Sequence, residues 1–251
     1  MKIYVLVKQV PDTETNLKIS GAAINEAGVK WIVSPFDEHA LEAALRLKEK
    51  TGGTVTAVSL GPDRVVEALR TAYALGVDQA VHLKDDSYNV LDVSYAAAVL
   101  ADFLKAEGAD LILTGHIAID SQSSMVPAMI AEHLGCANIN SCVELNVEGT
   151  NVEAKREIEG GTARMKTTLP VVVTAAKNLN DPRYPSLKGL MAAKKKQVET
   201  RPAVSVSVAK IEVVALELPP ARPAGRVIDG DSPETKAAQL VQALRNEAKV
   251  I

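Results

Sequence analysis

The first 135 residues of this 251-residue chain alternate short apolar runs with amphipathic stretches that end at glycines, without an internal sequence repeat. The apolar runs fall at 3–7, 54–60, 79–83 and 110–114. Between and after them, residues 36–50, 63–75, 91–107 and 121–134 carry apolar side chains at helical spacing and stop at Gly52-Gly53, Gly76, Gly108 and Gly135. This alternation constrains the fold more than any other feature. Runs apolar on both faces, joined by helices, build a parallel sheet covered on both sides.

After residue 138 the pattern changes. Segments 139–147, 152–158, 161–168 and 170–175 read as strands, with turns at Glu148-Gly149 and Gly160-Gly161. They look antiparallel, so the fold class is α/β with a mostly parallel, doubly wound mixed sheet and an extended C-terminal arm. We divide the chain into an α/β domain at 1–177, a loop and basic helix at 178–200, and an arm at 201–251. Two prolines, Pro182 and Pro185, exclude an ordinary helix interior there. Residues 204–216 read as one or two exposed strands. The run Pro219-Pro220-Ala221-Arg222-Pro223 is an extended connector. Ser232-Pro233-Glu234 opens a last helix running to about 250. The arm either packs on a partner chain or folds back on its own domain.

Composition closes off other classes. Hydrophobic residues make up 47% and charged residues 24%, ordinary globular usage. Aromatics are only 3%, so aliphatic side chains must fill the core. A net charge of −3 gives no global pull toward nucleic acid or anionic lipid. Cys136 and Cys142 match neither a metal knuckle nor a redox pair and read as buried thiols. No apolar run approaches the ~18 residues of a membrane span, and the first residues lack a secretory pattern. The expectation is a soluble cytoplasmic protein.

In open α/β sheets, ligands sit at the carboxyl ends of the strands. Four segments fall there: 7–12, Ser34-Pro35-Phe36-Asp37, 60–63, and the stretch Thr114 to Ser124. In the last, Ser121, Ser123 and Ser124 precede or open a helix whose free N–H groups suit a phosphate; plain N-capping by Asp120 or Ser121 is the alternative. Neither GxGxxG nor GxxxxGK[ST] occurs. His39, His82 and His133 read as structural or exposed; His116 stands apart because of its loop. No nucleophile–base–acid set or metal cluster stands out, so a binding or carrier subunit fits better than a self-sufficient enzyme. Near the arm, Leu187 lies between Ser186 and Lys188 in a proline-braced loop, just ahead of Lys194-Lys195-Lys196. A leucine held out beside cations makes a docking anchor for an acidic partner.

The stretch Leu179-Asn180-Asp181-Pro182-Arg183-Tyr184-Pro185-Ser186-Leu187-Lys188-Gly189-Leu190-Met191, followed by Ala193-Lys194-Lys195-Lys196, closely resembles the β subunits of electron transfer flavoproteins. Supporting matches run through the chain in order: 7–12, 34–38, 59–62, 118–120, 156–161 and 169–174. The resemblance implies a heterodimer with an α subunit that holds the redox-active FAD, an AMP in this subunit, and no catalysis of its own. Electrons would pass from acyl-CoA dehydrogenases to a membrane-bound quinone oxidoreductase. Carried over by position, the nucleotide would be lined by Leu6, Ser34, Pro35, Phe36, Asp37, Leu60, Gly115, Ala118, Asp120, Ser121, Gln122, Ser123, Ser124, Met125 and Val126. Leu187 would anchor the dehydrogenase, with Tyr184, Lys188, Met191, Lys194, Lys195 and Lys196 around it. Glu157 would contact the mobile FAD domain. At Ser124-Met125-Val126-Pro127 the chain departs from the polar pattern of AMP-binding members. Val126 matches members that bind a second FAD there and use NADH, which is the alternative reading.

Overall fold

The alternating half folds as its pattern requires. In a computed structural model, which describes residues 1–204, 210–221 and 224–251, it begins with β1 (Lys2–Leu6) and two small hairpin pieces. These are β2 (Gln9–Pro11) with β5 (Trp31–Val33), and β3 (Lys18–Ser20) with β4 (Ala23–Asn25). Then come α1 (Pro35–Thr51), β6 (Thr54–Gly61), a 3-10 turn (Asp63–Val65), α2 (Val66–Leu75), β7 (Gln79–Lys84), α3 (Val93–Glu107), β8 (Leu111–Gly115) and α4 (Val126–Leu134). The second half supplies β9 (Ala137–Glu148), β10 (Asn151–Ile158), β11 (Gly161–Thr168), β12 (Val171–Ala175), a 3-10 turn (Lys177–Leu179), α5 (Leu187–Ala193) and β13 (Glu199–Pro202).

Nine strands make one sheet in the order β11-β10-β9-β12-β8-β1-β6-β7-β13. Only the β9-β10 and β10-β11 pairs are antiparallel. The expectation that all four strands of 139–175 lie antiparallel is therefore corrected: β12 returns between β8 and β9 and runs parallel to both. Alternation along the central strands sorts the core into two layers. Ile3, Val5, Val55, Ala57, Leu111, Leu113, Val171 and Val173 pack with α1 and α2. Tyr4, Leu6, Val58, Leu60, Ile112 and Val172 pack with α3 and α4. With so few aromatics, tight aliphatic packing carries the hydrophobic term; a buried leucine cut to alanine in such a layer costs about 2–5 kcal/mol.

The chain after residue 177 is less regular. β13 was not legible in the sequence; it extends the sheet beside β7. Of the strands expected at 204–216, residues 205–209 lie outside the described residues, and 210–216 form no strand. Instead, the backbone N–H groups of Lys210 and Ile211 donate to Asp92 Oδ2. The lysine run is not helical either: α5 ends at Ala193, ahead of it. Met1–Ala215 form one compact unit and Leu216–Ile251 a second. Within the second, Ser232 caps α6 (Pro233–Gln242) by accepting the Thr235 N–H, and a π-helical turn (Ala243–Glu247) follows. No described helix is long and apolar enough to cross a membrane.

Candidate functional site

The strand order reverses beside β1: β6 lies on one side and β8 on the other. Such a switch point opens a crevice at the strands' carboxyl ends. Here it leaves about 750 Å3 of space, part of it open to solvent. Its wall is apolar: Leu6, Val58 and Leu60 from the strands, Val93, Ala96 and Leu100 from α3, with Tyr88 and Val90 from the loop before it. Its rim is polar: Lys8, Thr114, His116, Ser121, Ser123 and Ser124. Lys8 Nζ reaches Asp120 Oδ2 at 2.7 Å and Ser121 Oγ at 3.3 Å.

The floor of the crevice is a carboxylate. Asp37, in the first turn of α1, accepts the Lys8 N–H at 2.7 Å and the Gly115 N–H at 2.8 Å. Burial pushes its carboxyl up to about 7, against the pull of these two N–H groups. Gly115 is required by space: a Cβ there would stand 2.4 Å from Asp37 Oδ1 and 2.8 Å from the Phe36 carbonyl carbon. Ser34 caps α1 without a side-chain bond, and its buried Oγ has no partner.

The helix expected from residue 121 starts at Val126. Residues 116–125 are a loop, wound through left-handed backbone at Gln122 (φ 50°) and Ser124 (φ 53°). Ser124 Oγ donates to the His116 carbonyl, which closes the loop on itself. Pro127 removes one N–H from the first turn of α4, leaving those of Val126 and Ala128 without an intrahelical acceptor.

A second constellation lies at 178–196. Glu42, buried in α1, accepts Arg183 Nε at 2.7 Å and the Arg183 N–H at 3.2 Å, and it also binds Arg46. Burial works to raise the Glu42 carboxyl; the Arg183 and Arg46 guanidiniums overcome it and leave it below the usual range. Arg183 also reaches Glu49 at 2.6 Å. His39 Nδ1 meets the Asn180 carbonyl at 2.9 Å, and Asn180 Nδ2 donates to the His39 carbonyl. So pinned, the chain turns outward. Tyr184 is 94% exposed, Leu187 83% and Met191 69%. Ser186 caps α5 by accepting the Gly189 N–H at 3.0 Å. Gly189 lies hard against α2, where a Cβ would meet the Ala74 carbonyl oxygen at 2.3 Å.

A family model described as the electron transfer flavoprotein domain matches residues 21–206. A Bacillus subtilis (strain 168) protein named electron transfer flavoprotein subunit beta is 42% identical over 258 aligned positions, covering 100% of both chains. The subunit of the same name from Syntrophomonas wolfei is 38% identical, covering 100% of this chain and 98% of its own. That from Thermoanaerobacterium thermosaccharolyticum is 35% identical, covering 98% of each. The chain belongs to the electron transfer flavoprotein family.

Set beside the resemblance to electron transfer flavoprotein β subunits, the structure gathers Leu6, Asp37, Leu60, Gly115, Ala118, Ser121, Ser123, Ser124, Met125 and Val126 around one crevice. Ser34, Pro35, Phe36, Asp120 and Gln122 stand outside its lining. Asp120 holds Lys8 at the rim, and the Phe36 ring lies edge-on to His116, centroids 6.1 Å apart. Tyr184, Leu187, Lys188, Met191, Lys194 and Lys195 are all exposed on one segment. Lys196 is exposed as well, but its ammonium is held on the Val77 carbonyl at 2.9 Å and over the Tyr73 ring. Glu157 is exposed at the end of β10 and accepts Asn178 Nδ2 at 3.0 Å.

Sequence reasoning placed Lys8 in a strand-end segment but missed the wall from Tyr88 to Leu100 and the Glu42–Arg183 clamp. The α3 wall carries no signal, because apolar residues facing a ligand read like core. Glu42 had one: a carboxylate inside the apolar stripe of α1, where a lone charge is costly to bury. Cys142 is buried, and burial pushes its thiol up to about 12; Cys136 is only half-buried, which corrects the reading of both as buried. His82 is fully buried and bonded to the Gly61 carbonyl at 2.8 Å, a structural role. Among the described residues no group of His, Cys, Asp and Glu could hold a metal ion.

Proposed function

We propose that this chain is the β subunit of a heterodimeric electron transfer flavoprotein that carries electrons from acyl-CoA dehydrogenases to a membrane quinone oxidoreductase. The FAD that takes up and gives back electrons is held mainly by the α subunit. An AMP in the crevice of this chain is structural. The observation that carries the reading is one crevice with an apolar wall and a polar rim, on a chain that also displays an apolar patch among lysines. The wall suits an adenine ring; Lys8, the serine hydroxyls and the Val126 and Ala128 N–H groups suit a phosphate. The residues present therefore fit an adenine nucleotide.

On this reading the chain performs no bond-making step. It rigidifies the complex, presents a cradle for the FAD-bearing domain, and docks the electron donor. Leu187 supplies contact area, and Lys188, Lys194 and Lys195 steer an acidic partner. A second FAD in the crevice is the competing reading. It is favoured by Val126, which matches members that bind a second FAD there; Met125 and Pro127 match neither pattern.

The test is flavin reduction in the heterodimer. We expect bleaching by an acyl-CoA dehydrogenase with its substrate and none by NADH alone. Leu187→Ala should slow that bleaching by the equivalent of about 2–4 kcal/mol in docking, with flavin content unchanged. Rapid reduction by NADH would overturn the simple carrier. Unchanged transfer in Leu187→Ala would remove the docking role of the leucine.

A further inference from the structure

The chain has five tyrosines. Three commit their hydroxyls inside the fold: Tyr4 to Glu107 Oε2 at 3.3 Å, Tyr73 to the Gln197 carbonyl at 3.0 Å, and Tyr95 to Asp85 Oδ2 at 2.7 Å. Tyr184 is exposed to water. Tyr88 is the exception. It stands in the wall of the crevice, half-buried against the α3 layer of the core, and among the described residues its hydroxyl has no hydrogen-bond partner. A tyrosine taken out of water ordinarily finds one. Here the side chain borders an open cavity, where a bound molecule supplies the partner.

The loop between β7 and α3 holds this side chain in place. Asp85 donates its N–H to the Gly61 carbonyl at 3.1 Å and accepts from the Ser87 N–H, the Ser87 hydroxyl and the Tyr95 hydroxyl. Asn89 Oδ1 accepts the Leu91 N–H at 3.0 Å, and Asp92 caps α3 by accepting the Tyr95 N–H. The ring packs beside Gly61, where a Cβ would stand 3.7 Å from Tyr88 Cδ1. A side chain fixed in this way meets a ligand at little ordering cost. Charge decides which part of a nucleotide it meets. Burial, then the carboxylates of Asp120, Asp92 and Asp85, push the phenol well above its usual range, so the hydroxyl keeps its proton. The same carboxylates disfavour a further anion here, and the phosphate donors are Lys8 and the serines of the rim. Val90, Val93 and Ala96 complete this part of the wall and suit a flat neutral ring.

We infer that Tyr88 reads the adenine base in the crevice, its hydroxyl hydrogen-bonded to the polar edge of the ring, an inference that rests on the adenine-nucleotide reading above. A phenolic hydroxyl both donates and accepts, and the edge of adenine offers both kinds of partner. AMP and FAD share that base, so Tyr88 serves either occupant.

The test is Tyr88→Phe, which keeps the ring and removes the hydroxyl, in the heterodimer stripped of its crevice nucleotide. The probes are AMP and ribose 5-phosphate, measured by titration calorimetry, with the unfolding midpoint of the stripped complex beside them. We expect AMP to bind about tenfold more weakly than in the wild type, ribose 5-phosphate to bind equally in both, and the midpoint to hold. Where the wild type takes a second FAD in place of AMP, FAD is the probe and the same loss is expected. Equal nucleotide affinity in the two proteins would overturn the inference. So would an equal loss for AMP and ribose 5-phosphate, which would put the hydroxyl on the ribose, or a lower midpoint, which would show it satisfied within its own fold. A wild-type complex that binds neither AMP nor a second FAD would remove the nucleotide reading, and the inference with it.

Discussion

At the amino end of α1, Asp37 receives two backbone N–H groups, from Lys8 and Gly115; five residues on, Glu42 receives the guanidiniums of Arg46 and Arg183. One helix thus carries the floor of the crevice and the clamp on the exposed segment around Leu187. The two carboxylates answer burial differently. Backbone N–H groups fix geometry without a full countercharge, and Asp37 rises to about 7. Two guanidiniums supply the countercharge, and Glu42 falls below its ordinary value. The lesson is a division of labour: the crevice is positioned by backbone, the exposed segment by ion pairs, and each should break without the other.

The largest expected break is at the clamp. Arg183→Ala leaves buried Glu42 with Arg46 alone and should cost about 3 kcal/mol in urea unfolding. Hydrogen exchange should show residues 178–193 opening while the Lys8 and Gly115 amides keep their protection. Equal loss at both sites would show that the two regions are one unit.

Gly115→Ala attacks the other end. Its Cβ would press on Asp37 and the Phe36 backbone, so the helix start must shift. The cost should be about 2 kcal/mol, with loss of nucleotide retained through purification. Docking of the dehydrogenase should be unchanged, since Leu187 and its clamp lie elsewhere.

A third test separates the regions by pH alone. Asp37 has a raised folded value, so its contribution is complete below about 4 and is lost as pH rises through about 7. Glu42 has a lowered folded value. Its contribution is complete above its ordinary value of 4.5 and is lost as pH falls through the lower folded one. Protection factors should therefore fall at the Lys8 and Gly115 amides between pH 4 and 7, with the Arg183 amide steady. Below pH 4 the Arg183 amide should fall first. Parallel curves would contradict the distinction between the two anchors.

How much of this was legible follows from the same physics. The turns at Glu148-Gly149 and Gly160-Gly161 bounded the half-exposed β9 to β11. Period and glycine stops located α1, α2, α3, β1, β6 to β8 and β12 within a few residues, because burial leaves a plain apolar record. They did not locate the start of α4. Ser121 to Ser124 look like capping residues, yet the left-handed turns at Gln122 and Ser124 and the Ser124–His116 bond hold them in a loop. Nor did they reveal the direction of β12, which depends on where the β10-β11 excursion returns. Leu187 was legible as an exposed residue because Pro182 and Pro185 turn the chain outward ahead of it, although it opens α5 rather than lying in the loop. The bonds that brace it, Arg183 to Glu42 and Glu49, join residues about 140 apart in sequence, and no local pattern encodes them.

The account turns on what the crevice holds. The most direct measurement is to purify this chain together with its α subunit, denature the complex, and quantify the released nucleotides by chromatography. One FAD and one AMP per heterodimer is the predicted result. Two FADs and no AMP would contradict it and make the chain a subunit that handles a second flavin.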